Sequence, residues 1–427
     1  MAAIALCLLA VLALVLGFEM LMVMGLPSVL ARFFYYPAMP DMVVAQKLLG
    51  GVNVSTLLAI PFFIFAAEIM AQGSIAARLM ALVKRSIGHV TGGLGHTTVA
   101  SCMAFGAVCG SAPATVAALG RLLHPEMVRA GYREKFSLGL IASSAECALL
   151  IPPSITLIVY GWLTGTSVAA LFAGGLAVGV VLGLAFSAYV VFETRRSGAA
   201  AAPPSSRGER LEALRAGLLA LGMPVLILGG IYSGTFTPTE AAAVSVLYAL
   251  SIEMLVYRSM GLRKLVAVAE SSAVTIAAVF ILLAVGALLS YFITLARVPD
   301  MLGAFIAGQD IGWIGFLLIV NVVLLVAGMF IDPNSILLVM VPTLYPVALS
   351  LGIDPVHFGL VVCLNICIGM ITPPFGLDLF VASSTLERPV ETVIAGIWPF
   401  VAANIVVLAV ISYVPAISLA LPRLLSF

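Results

Sequence analysis

Two short stretches, Ile151-Pro152-Pro153 and Thr372-Pro373-Pro374, decide how this chain folds; their prolines are separated by 221 residues, and each pair sits in a long apolar run. Proline has no amide hydrogen and its ring collides with the preceding turn, so a Pro-Pro pair in such a run marks a helix that stops and restarts. The echo extends outward. Pro125 and Pro346 lie 221 residues apart, as do Gly131 and Gly352, and His124-Pro125 answers Tyr345-Pro346. Ahead of each set is a further break: Gly106-Ala107-Val108-Cys109-Gly110-Ser111-Ala112-Pro113-Ala114 in the first half, and Met329-Phe330-Ile331-Asp332-Pro333-Asn334-Ser335 in the second. The pattern predicts two copies of one unit, a helical hairpin with a polar tip followed by a broken helix.

The composition says where such units reside. Of 427 residues 63% are hydrophobic and 9% charged, with a mean hydropathy of +1.21. Soluble domains carry about 25% charged residues, so the chain reads as an all-α polytopic membrane protein in a lipid bilayer. A net charge of +1 with no basic stripe excludes a nucleic-acid partner. The six cysteines (Cys7, Cys102, Cys109, Cys147, Cys363 and Cys367) fall in apolar stretches without CxxC spacing, and read as buried thiols rather than disulfides or a metal site.

Residues 2–30 read as a retained first span, because they lack a basic leader and outrun a signal-peptide core. Apolar windows follow near 54–71, 97–120, 139–160, 168–192, 215–233, 239–257, 271–294, 311–331, 335–350, 359–385 and 394–421. Unwound backbone is tolerated at membrane depth only where protein or a watery cavity satisfies it, so the interrupted windows read as re-entrant hairpins. Threading the spans as one path places Arg78, Lys84, Arg85, Arg121, Arg129, Arg133, Lys135, Arg195, Arg196, Arg207, Arg210, Arg215, Arg258, Arg263, Lys264 and Arg388 on one side. Arg32, Lys47, Arg297 and Arg423 fall on the other, which makes the first side cytoplasmic.

The loop after the first hairpin is basic (Arg129, Arg133, Lys135), whereas its counterpart at 351–358 holds Asp354 and His357 but no Lys or Arg. The second copy is therefore inverted, the arrangement of secondary transporters. The chain divides accordingly: scaffold spans and an amphipathic arm at 1–90, the first transport unit at 91–160, and scaffold spans at 161–310 with a cytoplasmic linker at 193–215. The second transport unit is 311–385 and a C-terminal scaffold span is 386–427. The linker contains Ala199-Ala200-Ala201-Ala202-Pro203-Pro204-Ser205-Ser206.

Carbonyl and hydroxyl oxygens suit a hard cation, and the first tip offers Gly110 and Ser111, with Ser143-Ser144 in the following helix. A small-residue packing surface is the competing reading of the same glycines. At the second tip Asp332, Asn334 and Ser335 cluster opposite Thr372 and Asp378. An acid within a span points to function, although Asp332-Pro333 is also a good helix start. Glu146 is a coupling or substrate-contacting acid, an acid balanced by Arg121 or another base, or one left uncharged by burial. Glu68 and Glu19 lie near helix ends and read as interfacial. Thr237-Pro238-Thr239-Glu240 spells a capping box. Arg121 and Arg297 could clamp a carboxylate, but read more readily as anchors at span ends. A hydrolase would use Ser111 with a histidine; His89, His96, His124 and His357 all fall at span ends or in loops, and neither HExxH nor a phosphate-binding glycine loop with its Lys occurs. No catalytic residue and no resident cofactor is assigned.

Across its whole length the sequence resembles the large membrane subunit (M subunit, DctM-like) of the TRAP (tripartite ATP-independent periplasmic) transporters. The resemblance is carried by Ala59-Ile60-Pro61-Phe62-Phe63-Ile64, Gly110-Ser111-Ala112-Pro113-Ala114-Thr115-Val116, Leu150-Ile151-Pro152-Pro153-Ser154-Ile155, Gly352-Ile353-Asp354-Pro355-Val356-His357-Phe358-Gly359 and Thr372-Pro373-Pro374-Phe375-Gly376-Leu377. It implies a multi-pass protein of the bacterial inner membrane that imports an organic acid, such as a C4-dicarboxylate or sialic acid, driven by Na⁺ through an elevator motion. It also implies a small four-helix membrane subunit and a periplasmic substrate-binding protein as partners; a stand-alone dicarboxylate carrier is the alternative. In such proteins Na⁺ binds where each tip meets the broken helix of its own repeat. That points to Gly110, Ser111 and Ser144 for one site, and to Asp332, Asn334, Ser335 and Thr372 for the other. The chain departs from the family pattern at Ala145-Glu146-Cys147-Ala148, usually small or apolar and often glycine, and at Gly376-Leu377-Asp378, usually Gly-Leu-Asn. These extra acids would alter ion stoichiometry, proton coupling or substrate charge preference.

Overall fold

The computed structural model describes residues 2–198 and 205–427, so residues 199–204 of the expected linker lie outside the described residues. The first half is built from α1 (Ala2–Val15), α2 (Met20–Phe34), α3 (Asp41–Val52), α4 (Ala59–Gln72), α5 (Ile75–Ile87), α6 (Gly93–Cys109), α7 (Ala112–Arg129), α8 (Glu134–Glu146), α9 (Ile155–Thr164) and α10 (Val168–Ser197). The second comprises α11 (Arg207–Tyr232), α12 (Pro238–Leu250), α13 (Leu262–Leu295), α14 (Val298–Gly308), α15 (Trp313–Gly328), α16 (Pro333–Ser350), α17 (Pro355–Ile371), α18 (Leu377–Leu386), α19 (Val390–Tyr413) and α20 (Pro415–Leu424). Among the described residues, seven helical segments are long and apolar enough to cross a membrane.

Both units form as the proline pattern dictates. Helices α6 and α7 make the first hairpin, α8 and α9 its broken helix; α15 and α16 make the second hairpin, α17 and α18 its broken helix. Pro152-Pro153 and Pro373-Pro374 are both cis. The units interlock: α7 of the first packs along α18 of the second, and α16 of the second along α9 of the first. Small residues allow close approach within each unit, Gly106 against Ala148 and Gly328 against Gly369.

Three expectations need correction. Residues 2–30 are not one span, because Gly17 takes a left-handed turn (φ +76°) and folds α1 back onto α2. The short helices α3 and α14 were not anticipated, since neither is long enough to register as a span. The 386–427 segment, read as scaffold, packs with the repeat units: α19 lies along α8, and α20 along α10 and α17. Its closest seam is glycine-lined, for a Cβ on Gly139 or Gly396 would strike the backbone of the facing helix. Against the repeat units lie α1–α4 and α11–α13, here called the frame, with α13 touching α16 and α4 touching α6, α7 and α9.

Four of the basic residues that the sequence places at span ends form ion pairs. Lys84 bonds Glu126 (2.7 Å), Arg85 bonds Glu209 (2.8 Å), and Arg388 bonds Glu134 (2.5 Å). Arg32 bonds Asp41 at 3.0 Å. The capping box at Thr237 forms, with the Thr237 backbone N–H donating to Glu240 Oε2 at 2.8 Å. A second box, Ser206 with Glu209, opens α11. Five cysteines are buried and Cys7 is exposed; all six are free thiols.

The amphipathic arm α5 is held at its start by a remote residue. Glu253 is fully buried and its Oε1 accepts from the backbone N–H groups of Ser74 (2.8 Å) and Ile75 (3.1 Å), while Oε2 accepts from the hydroxyls of Ser74 and Ser259. It caps α5 across 179 residues, where Ser74 itself provides no side-chain cap. Glu253→Ala should cost about 2–3 kcal/mol by orphaning these donors, read as a lowered melting temperature of the detergent-solubilised protein. An unchanged melt would show that the arm needs no such anchor.

Candidate functional site

The two tips and the two breaks meet at one place. Gly110 ends α6 with φ +59°, and Ser111 caps α7, its hydroxyl accepting from Ala114 N at 3.5 Å. Only glycine fits the first position without strain, because a Cβ there would also strike the carbonyl oxygen of Pro153. The tip of hairpin one is thus seated on the break of its own repeat. In the second unit the equivalent of Ser111, again 221 residues on, is Asp332. Asp332 caps α16, accepting from Asn334 N and Ser335 N, each at 3.1 Å, through Oδ1 alone.

A cavity of about 300 Å³ lies between these elements and the frame. The first tip lines it with Cys109, Gly110, Ser111, Pro113 and Ala114, and the second with Asp332, Pro333 and Asn334. The breaks contribute Leu149, Ile155 and Thr156, and Met370 with Leu377. Ile64, Ala67, Glu68 and Ala71 of α4 and Thr275 and Val279 of α13 close it from the frame. Four helices therefore begin at this cavity: α7, α9, α16 and α18. Each start carries about half a positive charge, a setting that favours an anion, although the first N–H groups of α16 are already taken by Asp332. The ends of α6 and α17 arrive at the same wall and offer carbonyl oxygens of opposite polarity.

Of the residues singled out from sequence, Gly110, Ser111, Asp332 and Asn334 line the cavity. Ser144, Ser335 and Thr372 are buried outside its wall. The hydroxyls of Ser144 and Ser335 and the amide oxygen of Asn334 have no hydrogen-bond partner, the condition of oxygens available to a cation, while Thr372 donates to Ile368 O at 2.6 Å. Glu146 and Asp378 are fully buried; Glu146 accepts from Asn404 Nδ2 at 2.6 Å and not from Arg121. Arg121 is exposed, about 15 Å along α7 from Ser111, beside His124, Ser384 and Glu387 in a separate pocket. Arg297 is exposed as well.

Glu68, read as interfacial, instead faces the cavity from the frame. An acid in an apolar span was the signal for it, and its place near the end of α4 obscured it. Asn365 was missed altogether, although the 221-residue offset carries Ser144 directly onto it. It is fully buried, donates to Asn321 Oδ1 (2.8 Å) and Val361 O (2.9 Å), and leaves Oδ1 unpaired.

Inverted units of hairpin and broken helix, meeting at a polar cavity inside an apolar body, define a secondary transporter. Residues 6–417 match the family described as the tripartite ATP-independent periplasmic transporter, DctM component, and the chain belongs to that family. The ectoine TRAP transporter large permease TeaC of Halomonas elongata is 41% identical over 95% of both chains. The C4-dicarboxylate TRAP transporter large permease DctM of Pseudomonas aeruginosa is 41% identical over 90% of both. The solved structure of the Alcanivorax borkumensis YdaH transporter aligns over 90% of this chain and 89% of its own, at a TM-score of 0.57 and 16% identity, and shares the fold. The chain is a transporter's large permease and not an enzyme.

Proposed function

We propose that this permease imports a small carboxylate-bearing solute into the bacterial cell across the inner membrane, driven by Na⁺. The observation that carries the reading is the convergence of four helix N-termini on one cavity: a carboxylate placed there finds backbone donors and favourable dipoles with no counter-ion of its own. The relatives named for ectoine and for C4-dicarboxylates agree, since both solutes carry carboxylates.

Na⁺ would bind on either side of that cavity. Gly110, Ser111 and Ser144 supply one set of oxygens, and Asp332, Asn334, Ser335 and Thr372 the other. Ions there tie each tip to its break, so an ion-loaded, solute-loaded body differs mechanically from an empty one. The repeat units with α10, α19 and α20 would move as one body against the frame, exposing the cavity to each side in turn. A small four-helix membrane subunit would brace the frame, and a periplasmic binding protein would deliver the solute.

Glu68 favours one refinement. An acid facing the cavity from the frame suits a solute that carries a positive group as well as its carboxylate, as ectoine does, better than a dianion.

The test is uptake into proteoliposomes holding the permease, its small subunit and its binding protein, over a panel containing succinate, sialic acid and ectoine. Uptake is expected only with an inward Na⁺ gradient, with ectoine favoured over succinate. Equal uptake in Na⁺-free medium refutes the cation assignment, and uptake without the binding protein favours a stand-alone carrier.

A further inference from the structure

Two carboxyls remain that the proposed Na⁺ sites do not use. Glu146 ends α8 in the first unit and Asp378 begins α18 in the second; both have no exposed surface. The two helices run antiparallel side by side. Their cytoplasmic ends are joined by the Glu134–Arg388 ion pair, and about 15–18 Å of helix then carries each chain to its acid. That geometry sets the two acids at the same depth on neighbouring helices.

Little is present to balance them. Glu146 Oε1 accepts from Asn404 Nδ2, but Glu146 Oε2, both oxygens of Asp378 and the amide oxygen of Asn404 have no partner. Asn404 is itself fully buried on α19, which packs on both α8 and α18. The titratable groups facing the pair are Cys147 beside Glu146 and Cys367 on α17, with Cys102 of α6 behind Cys147. His124 of α7 and Glu193 of α10 turn to Glu134 and Arg133 at the far end of α8. His357 of α17 bonds Ser412 and Ser418, and Glu391 of α19 is exposed about 20 Å from Asn404. Among the described residues no Lys, Arg or His pairs with either acid.

Bare carboxylates in such a place cost several kcal/mol each, so the pair must hold a cation or a proton. Hard metal cations of the Ca²⁺ and Mg²⁺ kind want about six oxygens, and no group of three or more His, Cys, Asp or Glu able to hold a metal occurs among the described residues. We propose that Glu146, held by Asn404, and Asp378 form a proton-binding site that links the two repeat units and travels with the transport body. Leu377, next to Asp378, and Leu149, one turn beyond Glu146, line the solute cavity, so the pair sits one layer behind its wall. The carboxylate takes a proton when the cavity faces outward and returns it when the cavity faces the cytoplasm. The site rests on the transport reading above but not on the identity of the solute or on Na⁺.

The first measurement is infrared spectroscopy of the purified permease with its small subunit at neutral pH, without solute. A carboxylic C=O band that exchanges slowly with deuterium is expected in the wild type and is lost in Glu146→Gln and Asp378→Asn. Asn404→Leu keeps both acids, removes the donor to Glu146 and shifts the band, which covers the case in which the other variants do not fold. In the proteoliposomes above, internal acidification tracks wild-type uptake, and the protons carried per solute taken up fall to none in Glu146→Gln. No band in the wild type, a band unmoved by all three substitutions, uptake without acidification, or ²²Na⁺ binding lost with either acid each overturns the site. If Na⁺ proves dispensable while acidification persists, the Na⁺ reading fails and the proton site stands.

Discussion

Replacing Asp332 by Asn is expected to leave the protein folded and to weaken Na⁺-driven uptake severely. Asp and Asn serve almost equally as N-caps, so the bonds that Asp332 Oδ1 accepts from Asn334 N and Ser335 N survive the change. What is lost is the negative charge that the proposed cation would meet at the cavity wall. Removing even an outer partner of a metal ligand commonly costs about 10–100-fold in affinity, and loss of a direct carboxylate ligand should cost at least that in the Na⁺ concentration for half-maximal uptake. Asp332→Ala would add about 1 kcal/mol of lost capping, blurring a folding effect with an ion effect. The Asn variant separates them: an unchanged melting temperature with a large rise in the Na⁺ requirement assigns the role to charge. If Na⁺ dependence is also unchanged, Asp332 is a cap and nothing more.

Gly110→Ala should be severely damaging. Its backbone is left-handed, which costs a residue with a Cβ about 1–2 kcal/mol, and the added carbon would strike the Pro153 carbonyl. Overpacking of that kind adds about 1–3 kcal/mol, and here it would push the first tip off its break. Gly352→Ala is the matched control: its φ is +75°, close to the +59° of Gly110, but a Cβ added there would meet nothing within 4 Å. The control is expected to lose only that backbone cost of about 1–2 kcal/mol and to transport normally. Gly110→Ala is expected to abolish uptake even where the protein is still recovered folded. Equal behaviour of the two variants would mean that the contact between tip and break is unimportant.

Much of this was legible because helix-breaking residues are costly in hydrocarbon. Pro152-Pro153, Pro373-Pro374, Gly110 and Asp332 stand out against long apolar runs, and the constant 221-residue offset ties them into two units. The features that escaped depend on packing between distant segments. Glu68 and Thr275 reach the cavity only because α4 and α13 lie against the tips. The role of Glu253 at the start of α5 spans 179 residues and leaves no local pattern. Gly17 gave no warning that residues 2–30 would fold in two, since one glycine in an apolar run is ordinary. The bond from Asn404 to Glu146 could not be read at all, for 258 residues separate them.

The crosswise packing of α7 on α18 and of α16 on α9 bears on how the protein is made. Each half supplies the cover that the other lacks. During synthesis the first half enters the bilayer with α7 and α9 bare, and it stays incomplete until the second half follows. Neither half is then a self-sufficient folding unit despite their shared form. A cut in the linker that joins them should be tolerated if both fragments are supplied together, and either fragment alone should be cleared by proteolysis.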